Sequence, residues 1–143
     1  MRENSLWKWL KATADGMRPH MHLGRVENSV EEGYPDVEGC YNGFSFHIEL
    51  KVADRPARKS TPIRTQSPVK QTQVDWLRER REASGRAWIL IQVGTGRSAR
   101  RYLLDGLRAG QVAKGLTELD LELYSCCGPL DTAASILSTA AYR

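Results

Sequence analysis

The chain has 143 residues, 41% of them apolar, and a formal net charge of +4. This size and apolar share suit one domain with a buried core, so we expect residues 1–143 to form a single domain. No uninterrupted apolar window of about 18 residues occurs, and the N-terminus lacks the apolar segment of a signal peptide. We therefore expect no membrane-spanning helix, no membrane partner and a cytoplasmic location.

The spacing of the cysteines argues against a disulfide framework or a zinc site, and the charge distribution indicates the kind of partner. Cys40 stands alone and Cys126 is next to Cys127, which gives neither an even disulfide framework nor the paired spacing of zinc ligands. Residues 51–101 carry 13 Lys and Arg against 4 Asp and Glu, whereas the segments on either side are net acidic. This basic segment suggests a polyanionic partner such as DNA or RNA, although a solvated helix face is the alternative.

The N-terminal part of the chain predicts a helix followed by a stretch with two readings. The stretch SLWKWLKATADG predicts a short amphipathic helix, with Ser5 as its N-cap and Gly16 at its end. The next stretch, HMHLGRVEN, fits either an extended strand or a second helical segment that carries Glu27. Both readings stay open on the sequence alone.

A β-hairpin is predicted around Asn42-Gly43, because this dipeptide supplies the positive φ angles of a two-residue type I′ turn. Its strands are VEGCY and FSFHIELKV. Apolar and polar residues alternate in the second strand, so one face should meet the core and the other should be polar. Residues 53–68 then contain three prolines and four Lys or Arg without an apolar period, which predicts a long loop.

The second half predicts a helix, two strands and a mixed tail. The helix in SPVKQTQVDWLRERREASG should have Ser67 as its N-cap and Pro68 as its first residue, and should end at Gly85. The stretches AWILIQVG and RRYLLDG predict strands on either side of a turn at GTGRSA. The tail contains a short segment LRAGQVAKGL, an alternating TELDLEL and a predicted helix in PLDTAASILSTAA.

The two-residue turn also determines which residues face each other across the hairpin. Counting back from the turn places Asp36 opposite Glu49 on one face of the sheet, with Cβ atoms about 5 Å apart. Two like charges repel there, so the pair needs a raised pKa or a bound cation, and Mg²⁺ or Mn²⁺ suits two carboxylates. Lys51 lies on the same face and could activate a metal-bound water. The pattern favours phosphodiester hydrolysis over a solvated strand face.

The residues Pro35-Asp36, followed by Glu49-Leu50-Lys51, resemble the signature of the PD-(D/E)xK nuclease superfamily. The upstream segment GRVENSVEEGYPDV makes the chain similar to the small phage-encoded and VRR-NUC-like members, and Holliday-junction resolvases share the same core. The resemblance covers about residues 6–104 and leaves 105–143 as a C-terminal extension. It implies an α/β, restriction-endonuclease-like fold, with a central mixed sheet of four or five strands flanked by helices in the order αβββαβ.

The resemblance also implies roles for individual residues. Asp36 and Glu49 would be the metal-binding acids, and the backbone carbonyl of Leu50 would be a further ligand. Lys51 would be the catalytic lysine. Glu27 would match an additional upstream acid that binds a second metal ion or polarises the attacking water.

An active-site glutamine is implied on the helix that follows the catalytic strand. Gln73 matches this position, and Gln71 is its rival. We prefer Gln73, because it shares a helix face with Val69 and Leu77.

The implied activity is that of a Mg²⁺- or Mn²⁺-dependent endonuclease that hydrolyses DNA, acting on phage or branched DNA. Cutting a four-way junction needs two strand breaks, so a homodimer would suit this activity. The candidates for contacts with DNA phosphates are Arg25, Arg55, Arg58, Lys59, Arg64 and Lys70. Two other functions stay open, namely a catalytically silent nucleic-acid-binding module of the same fold and a nuclease that cleaves RNA.

Overall fold

A computed structural model describes residues 2–27 and 31–143 of the chain. The described residues form a five-stranded mixed sheet whose strands lie side by side in chain order. The strands are β1 (Met21–Arg25), β2 (Val37–Tyr41), β3 (Phe44–Ala53), β4 (Arg86–Val93) and β5 (Arg100–Asp105). The first three strands form an antiparallel meander, β4 is parallel to β3, and β5 is antiparallel to β4. The predicted α/β fold with a central mixed sheet is confirmed.

Helices cover both faces of this sheet. They are α1 (Arg2–Gly16), α2 (Gln71–Glu82), α3 (Ala109–Lys114), α4 (Glu118–Tyr124) and α5 (Ala133–Tyr142), with 3-10 turns at Gly96–Ser98 and Gly106–Arg108. α1 and α5 pack on one face, whereas α2, α3 and α4 pack on the other. α2 supplies the crossover that the parallel pair of β3 and β4 requires. None of the described helices is long and apolar enough to cross a membrane.

The central strands are buried on both faces, because each face has its own helical layer. Toward α1 and α5, β3 contributes an unbroken apolar series to the core, which consists of Phe46, Ile48, Leu50 and Val52. Toward α2, β4 contributes Ile89, Ile91 and Val93, but β3 presents the polar series His47, Glu49 and Lys51, all buried. The face of β3 that the alternation predicted to be polar is therefore enclosed under α2.

The hairpin has the predicted turn and register. Asn42 and Gly43 have φ angles of 50° and 83°, as a two-residue turn with left-handed central residues requires. The strand pairs run from Tyr41 opposite Phe44 to Val37 opposite Ile48. Pairing ends there, so the expected ladder pair of Asp36 with Glu49 does not form. The chain bends at Asp36. The carbonyl oxygen of Asp36 still accepts from the amide of Val26, just after β1, whereas only its side chain reaches β3.

α2 begins three residues later than predicted. Its N-cap is Lys70, whose amide donates to the side chain of Gln73. Ser67, the predicted N-cap, lies in the preceding loop, and its hydroxyl contacts Lys51 and Glu3 instead. Because the hydroxyl is engaged in these long-range bonds, it does not cap the helix.

Two stretches of uncertain structure are now assigned. HMHLGRVEN contains strand β1, and the alternating TELDLEL is helix α4, which begins with a reciprocal capping box between Thr117 and Asp120. The predicted C-terminal helix is α5, with Thr132 as its N-cap. α5 fills a large part of the core on its face of the sheet, through Ala133, Ile136, Leu137, Ala140 and Ala141.

Candidate active site

Asp36 reaches β3 through a hydrogen bond to the backbone. It lies one residue before β2, and its Oδ2 accepts from the amide of Leu50 at 2.9 Å. Because Leu50 follows Glu49 on β3, this bond brings Asp36 beside Glu49, and the two carboxyl groups interact directly. The structure thus brings together both predicted metal-binding acids and the backbone of Leu50.

Glu49 places an ionisable group in the interior, with 2% of the residue exposed. Burial, and to a lesser degree the charge of Asp36, raise the pKa of its carboxyl group to about 8, while the charge of Lys51 opposes this shift. Among the residues that the structure describes, the buried Oε1 of Glu49 has no hydrogen-bond partner when the carboxyl group is ionised, whereas the protonated group can hydrogen-bond to Asp36. A buried polar atom without a partner is unfavourable, and this oxygen is therefore suited to accept a ligand.

The ammonium group of Lys51 lies among three acceptors within the described chain. Its Nζ is 3.3 Å from Oε2 of Glu49, 3.1 Å from Oγ of Ser67 and 3.3 Å from the carbonyl oxygen of Pro68. An ammonium group has three donors, and Lys51 is 2% exposed. These contacts replace the water that the group would otherwise bind, and they hold it beside Glu49.

Gln73 is the glutamine that contacts Glu49. Its Nε2 donates to Oε2 of Glu49 at 2.9 Å, and its Oε1 accepts from the amide of Lys70 at 3.0 Å. Gln71 instead donates to Asp75, one turn further along α2. The side chain of Gln73 is thus fixed at both ends, and it determines the direction in which the carboxylate of Glu49 points.

An aromatic cluster supports the segment that leads to Asp36. The ring of Tyr34 lies 5.5 Å from that of His47 and 5.0 Å from that of Trp76, between ring centroids. The hydroxyl of Tyr34 donates to Glu38, and the indole of Trp76 donates to Glu31. Burial lowers the pKa of His47, which favours its neutral form. The cluster fastens this segment to α2.

The same segment meets α2 backbone to backbone at Gly33. This residue has a φ of +81°, and a Cβ built on it would lie 2.1 Å from the carbonyl oxygen of Thr72. Glycine alone combines this dihedral angle with so close an approach. The contact sets the spacing between the loop of Asp36 and the first turn of α2, which carries Gln73.

A further acid, Glu3, is linked to Lys51 through the hydroxyl of Ser67. Glu27 is exposed, and within residues 2–27 and 31–143 no group of three acidic, His or Cys side chains is arranged to hold a metal ion. The role of Glu27 stays a prediction. Glu3 of α1, which the sequence analysis missed, accepts from Oγ of Ser67 at 2.9 Å. Nothing in the sequence near Glu3 links it to a serine so far along the chain.

The basic residues that are candidates for DNA contacts differ in their intramolecular hydrogen bonds and in their exposure. Arg55 uses four of its five guanidinium donors on Glu118, Ser98 and Val93, and its role in binding phosphate stays a prediction. Arg25 donates to Asn4 but is exposed. The other candidates have exposed side chains, namely Arg58, Lys59, Arg64 and Lys70.

The donors at the site suit a hard divalent cation. Asp36 and Glu49 offer carboxylate oxygens at close range, which are the ligands that Mg²⁺ and Mn²⁺ prefer. The unpartnered Oε1 of Glu49 would gain from such an ion. A nearby cation would also favour the ionised form of Glu49, whose pKa is raised by burial. The residues present therefore fit a metal site.

Comparisons with known proteins bear on the fold. No protein-family model matches the chain, and the search of curated proteins gave no significant match. Among solved structures, the chain is similar to a Holliday junction resolvase from the archaeal hyperthermophile Archaeoglobus fulgidus, with a TM-score of 0.55 and 16% sequence identity. The similarity covers 96% of this chain and 97% of that chain, and so extends beyond the predicted core. The chain therefore has the restriction-endonuclease-like α/β fold that its signature residues implied.

Proposed function

We propose that the chain is a divalent-metal-dependent nuclease that hydrolyses phosphodiester bonds of DNA. The observation that carries this proposal is the pairing of the half-buried Asp36 with the buried Glu49, whose Oε1 has no partner among the described residues. Buried charged groups are often no more stabilising than apolar side chains of similar volume. A pair that leaves one oxygen unused therefore has its best explanation in a bound ligand.

Each residue at the site has a place in this proposal. Asp36 and Glu49 would hold Mg²⁺ or Mn²⁺, with the backbone carbonyl of Leu50 as a further proposed ligand. When bound, the ion lowers the pKa of a water molecule and polarises the phosphate. The ammonium group of Lys51, beside Glu49, would orient the attacking water and stabilise the negative charge that develops on the phosphate. Gln73 would hold Glu49 in position through its hydrogen bond.

The position and the charge of the loop of residues 54–70 are consistent with a nucleic-acid substrate. It supplies two of the acceptors for Lys51, which places it next to the acids. It also carries exposed cations that can contact phosphates without reading the base sequence. These are Arg58, Lys59, Arg64 and Lys70, and Arg25 at the end of β1 would add a further contact.

Branched DNA is the substrate class that we favour. The Archaeoglobus protein with the same fold is described as a Holliday junction resolvase, and resolving a junction requires two cuts. We therefore propose that a homodimer acts on the junction, so that each copy makes one cut. Native mass spectrometry would measure the oligomeric state. A panel of four-way, duplex and single-stranded DNA, with an RNA duplex, would define the substrate.

The test of the activity itself is cleavage that depends on the metal. Purified protein should cut labelled four-way junctions in Mg²⁺ or Mn²⁺, and excess EDTA should abolish the cuts. Asp36→Asn and Lys51→Met should fold and bind DNA but leave it intact. Salt-sensitive binding without any cleavage in either metal would instead indicate a silent DNA-binding module, and the proposed activity would be wrong.

A further inference from the structure

The ammonium group of Lys51 has three described polar contacts, and two of them are with a loop rather than with Glu49. The loop of residues 54–70 leaves the end of β3 and then returns to it. At its return, the hydroxyl of Ser67 and the carbonyl oxygen of Pro68 accept from Nζ of Lys51 at 3.1 and 3.3 Å. The contact with Glu49 is also 3.3 Å long. The loop is therefore as close to the ammonium group as the acid is.

The hydroxyl of Ser67 is itself oriented by a second partner. It donates its proton to Oε2 of Glu3 at 2.9 Å, and a hydroxyl that donates in one direction has lone pairs left for an incoming donor. Ser67 can therefore accept from Lys51 while it donates to Glu3. The two hydrogen bonds of Ser67 thus connect Glu3 of α1, the loop and Lys51 of β3.

The returning end of the loop is tied to β3 by backbone bonds. The amide of Gln66 donates to the carbonyl oxygen of Val52 at 2.8 Å, and Ala53 forms a bridge with Thr65. The hydroxyl of Thr65 then donates to the carbonyl oxygen of Ser67 at 2.8 Å. These bonds place Ser67 through the main chain, so that its position does not depend on Lys51.

We propose that Ser67 is a positioning residue for Lys51, which holds the ammonium group at the site independently of Glu49. The inference rests on the proposed nuclease function and assigns a residue that no motif marks. If Glu49 turns its oxygens toward a metal ion, its bond to Lys51 weakens. Ser67 and the carbonyl of Pro68 keep their contacts with Nζ, and Lys51 stays directed at the scissile phosphate.

The test compares Ser67→Ala with the conservative variant Ser67→Thr, which keeps a hydroxyl. Ser60→Ala is the matched control, because Ser60 is an exposed serine in the same loop. In single-turnover cleavage of a four-way junction with Mg²⁺, Ser67→Ala should lower the rate constant at saturating protein about tenfold. The protein concentration for half-maximal rate and the melting temperature should change little. Ser67→Thr should recover most of the rate, and Ser60→Ala should match the parent.

A measurement without DNA keeps this inference separate from the proposed activity. The ammonium group of Lys51 should give a ¹H–¹⁵N signal that is protected from exchange with water, assigned by its loss in Lys51→Arg. Ser67→Ala should increase the exchange rate of this signal several-fold, while Ser60→Ala should leave it unchanged. An unchanged signal together with an unchanged rate constant in Ser67→Ala would overturn the positioning role. A parent protein that cuts no DNA would overturn the proposed function alone, and the exchange rate would still decide whether Ser67 holds Lys51.

Discussion

The two faces of β3 are buried to a similar degree and yet have opposite chemistry. Toward α1 and α5 the strand presents apolar side chains such as Ile48 and Leu50, each fully buried. Toward α2 it presents His47, Glu49 and Lys51, with exposed fractions of 6%, 2% and 2%. Burial alone therefore does not distinguish a core face from a candidate active site. The difference lies in what the buried groups contact and in whether their polar atoms are all paired.

The apolar face of β3 stabilises the folded protein, whereas the burial of charged groups on its polar face is unfavourable. Each apolar side chain gains from removal from water, typically about 1.5–3 kcal/mol when it is fully buried. The carboxyl group of Glu49 loses hydration, meets the charge of Asp36 and keeps one unpaired oxygen in the described structure. Substitutions on the two faces should therefore have different effects. Those on the apolar face should reduce stability, and those on the polar face should reduce activity.

The largest expected effect is on the polar face. Asp36→Asn and Glu49→Gln keep the size of each side chain but remove the charge that would hold a metal ion. We expect each variant to lose at least about a thousandfold in single-turnover cleavage, which corresponds to about 4 kcal/mol of barrier. Glu32→Gln, an exposed neighbour in the same segment, is the matched control and should cleave like the parent. If all three variants cleave alike, the polar face is not the active site.

The apolar face should respond in stability. Leu50→Ala removes a fully buried side chain and should lower the free energy of unfolding by about 2–5 kcal/mol, because it leaves a cavity. Leu123→Ala makes the same chemical change at a position that is 74% exposed and should change stability by less than about 0.5 kcal/mol. Urea denaturation of both variants measures the two values. Equal losses would mean that the described packing around Leu50 is wrong.

The raised pKa of Glu49 predicts that stability falls as pH rises when no metal is present. The folded protein keeps the proton of Glu49 up to about pH 8, while the unfolded chain releases it near pH 4.5. Folding therefore binds a proton between these values, and stability is lost as pH rises through this window. In EDTA, the free energy of unfolding should drop by roughly 2 kcal/mol from pH 6 to pH 8. Glu49→Gln should flatten this slope, and a parent protein with no slope would contradict the shift.

The proton of Glu49 also predicts how a bound metal ion would change stability with pH. A cation that binds ionised Glu49 must displace its proton, so apparent affinity should increase with pH. Mg²⁺ or Mn²⁺ should therefore raise the melting temperature more at pH 8 than at pH 6, by a few degrees at saturating metal. Asp36→Asn should abolish the increase at both pH values. A shift that is independent of pH and survives in this variant would place the metal elsewhere.

The smallest expected effect separates the two glutamines of α2. Gln73→Ala removes the donor to Glu49 and should lower the cleavage rate constant about fivefold to tenfold, since it acts through the direction of the carboxylate. Gln71→Ala removes a bond to Asp75 at the surface and should leave the rate unchanged. Equal rates for the two variants would show that the contact of Gln73 has no part in the reaction.

The sequence was informative where the structure depends on local rules. The Asn42-Gly43 turn, the register of the hairpin and the alternation in β3 all follow from dihedral preferences and a period of two. The sequence was uninformative where partners lie far apart in the chain. The capping preference of Ser67 was a sound local inference, but Lys51 and Glu3 compete for the hydroxyl. The residues around Ser67 do not indicate that Lys51 or Glu3 contacts its hydroxyl.

The placement of Asp36 illustrates the same limit within the hairpin itself. The turn predicts the facing pairs correctly as far as Val37 and Ile48, and one more step would place Asp36 opposite Glu49. The chain instead leaves the ladder at this point, and the Asp36 carboxylate bonds to the amide of Leu50. A side-chain acceptor thus takes the place of a backbone partner, which a count of residues does not reveal. The two acids still meet, by a different route.

The main-chain contact between Gly33 and Thr72 has a consequence for how the site can vary. Because no side chain separates the two segments, substitutions in their neighbours cannot bring the loop of Asp36 any nearer to α2. Any residue larger than glycine at position 33 would act as a spacer and move the two walls of the site apart. The distance between the loop of Asp36 and α2 therefore has a lower limit set by peptide groups, and the side chain at position 33 controls departures from it.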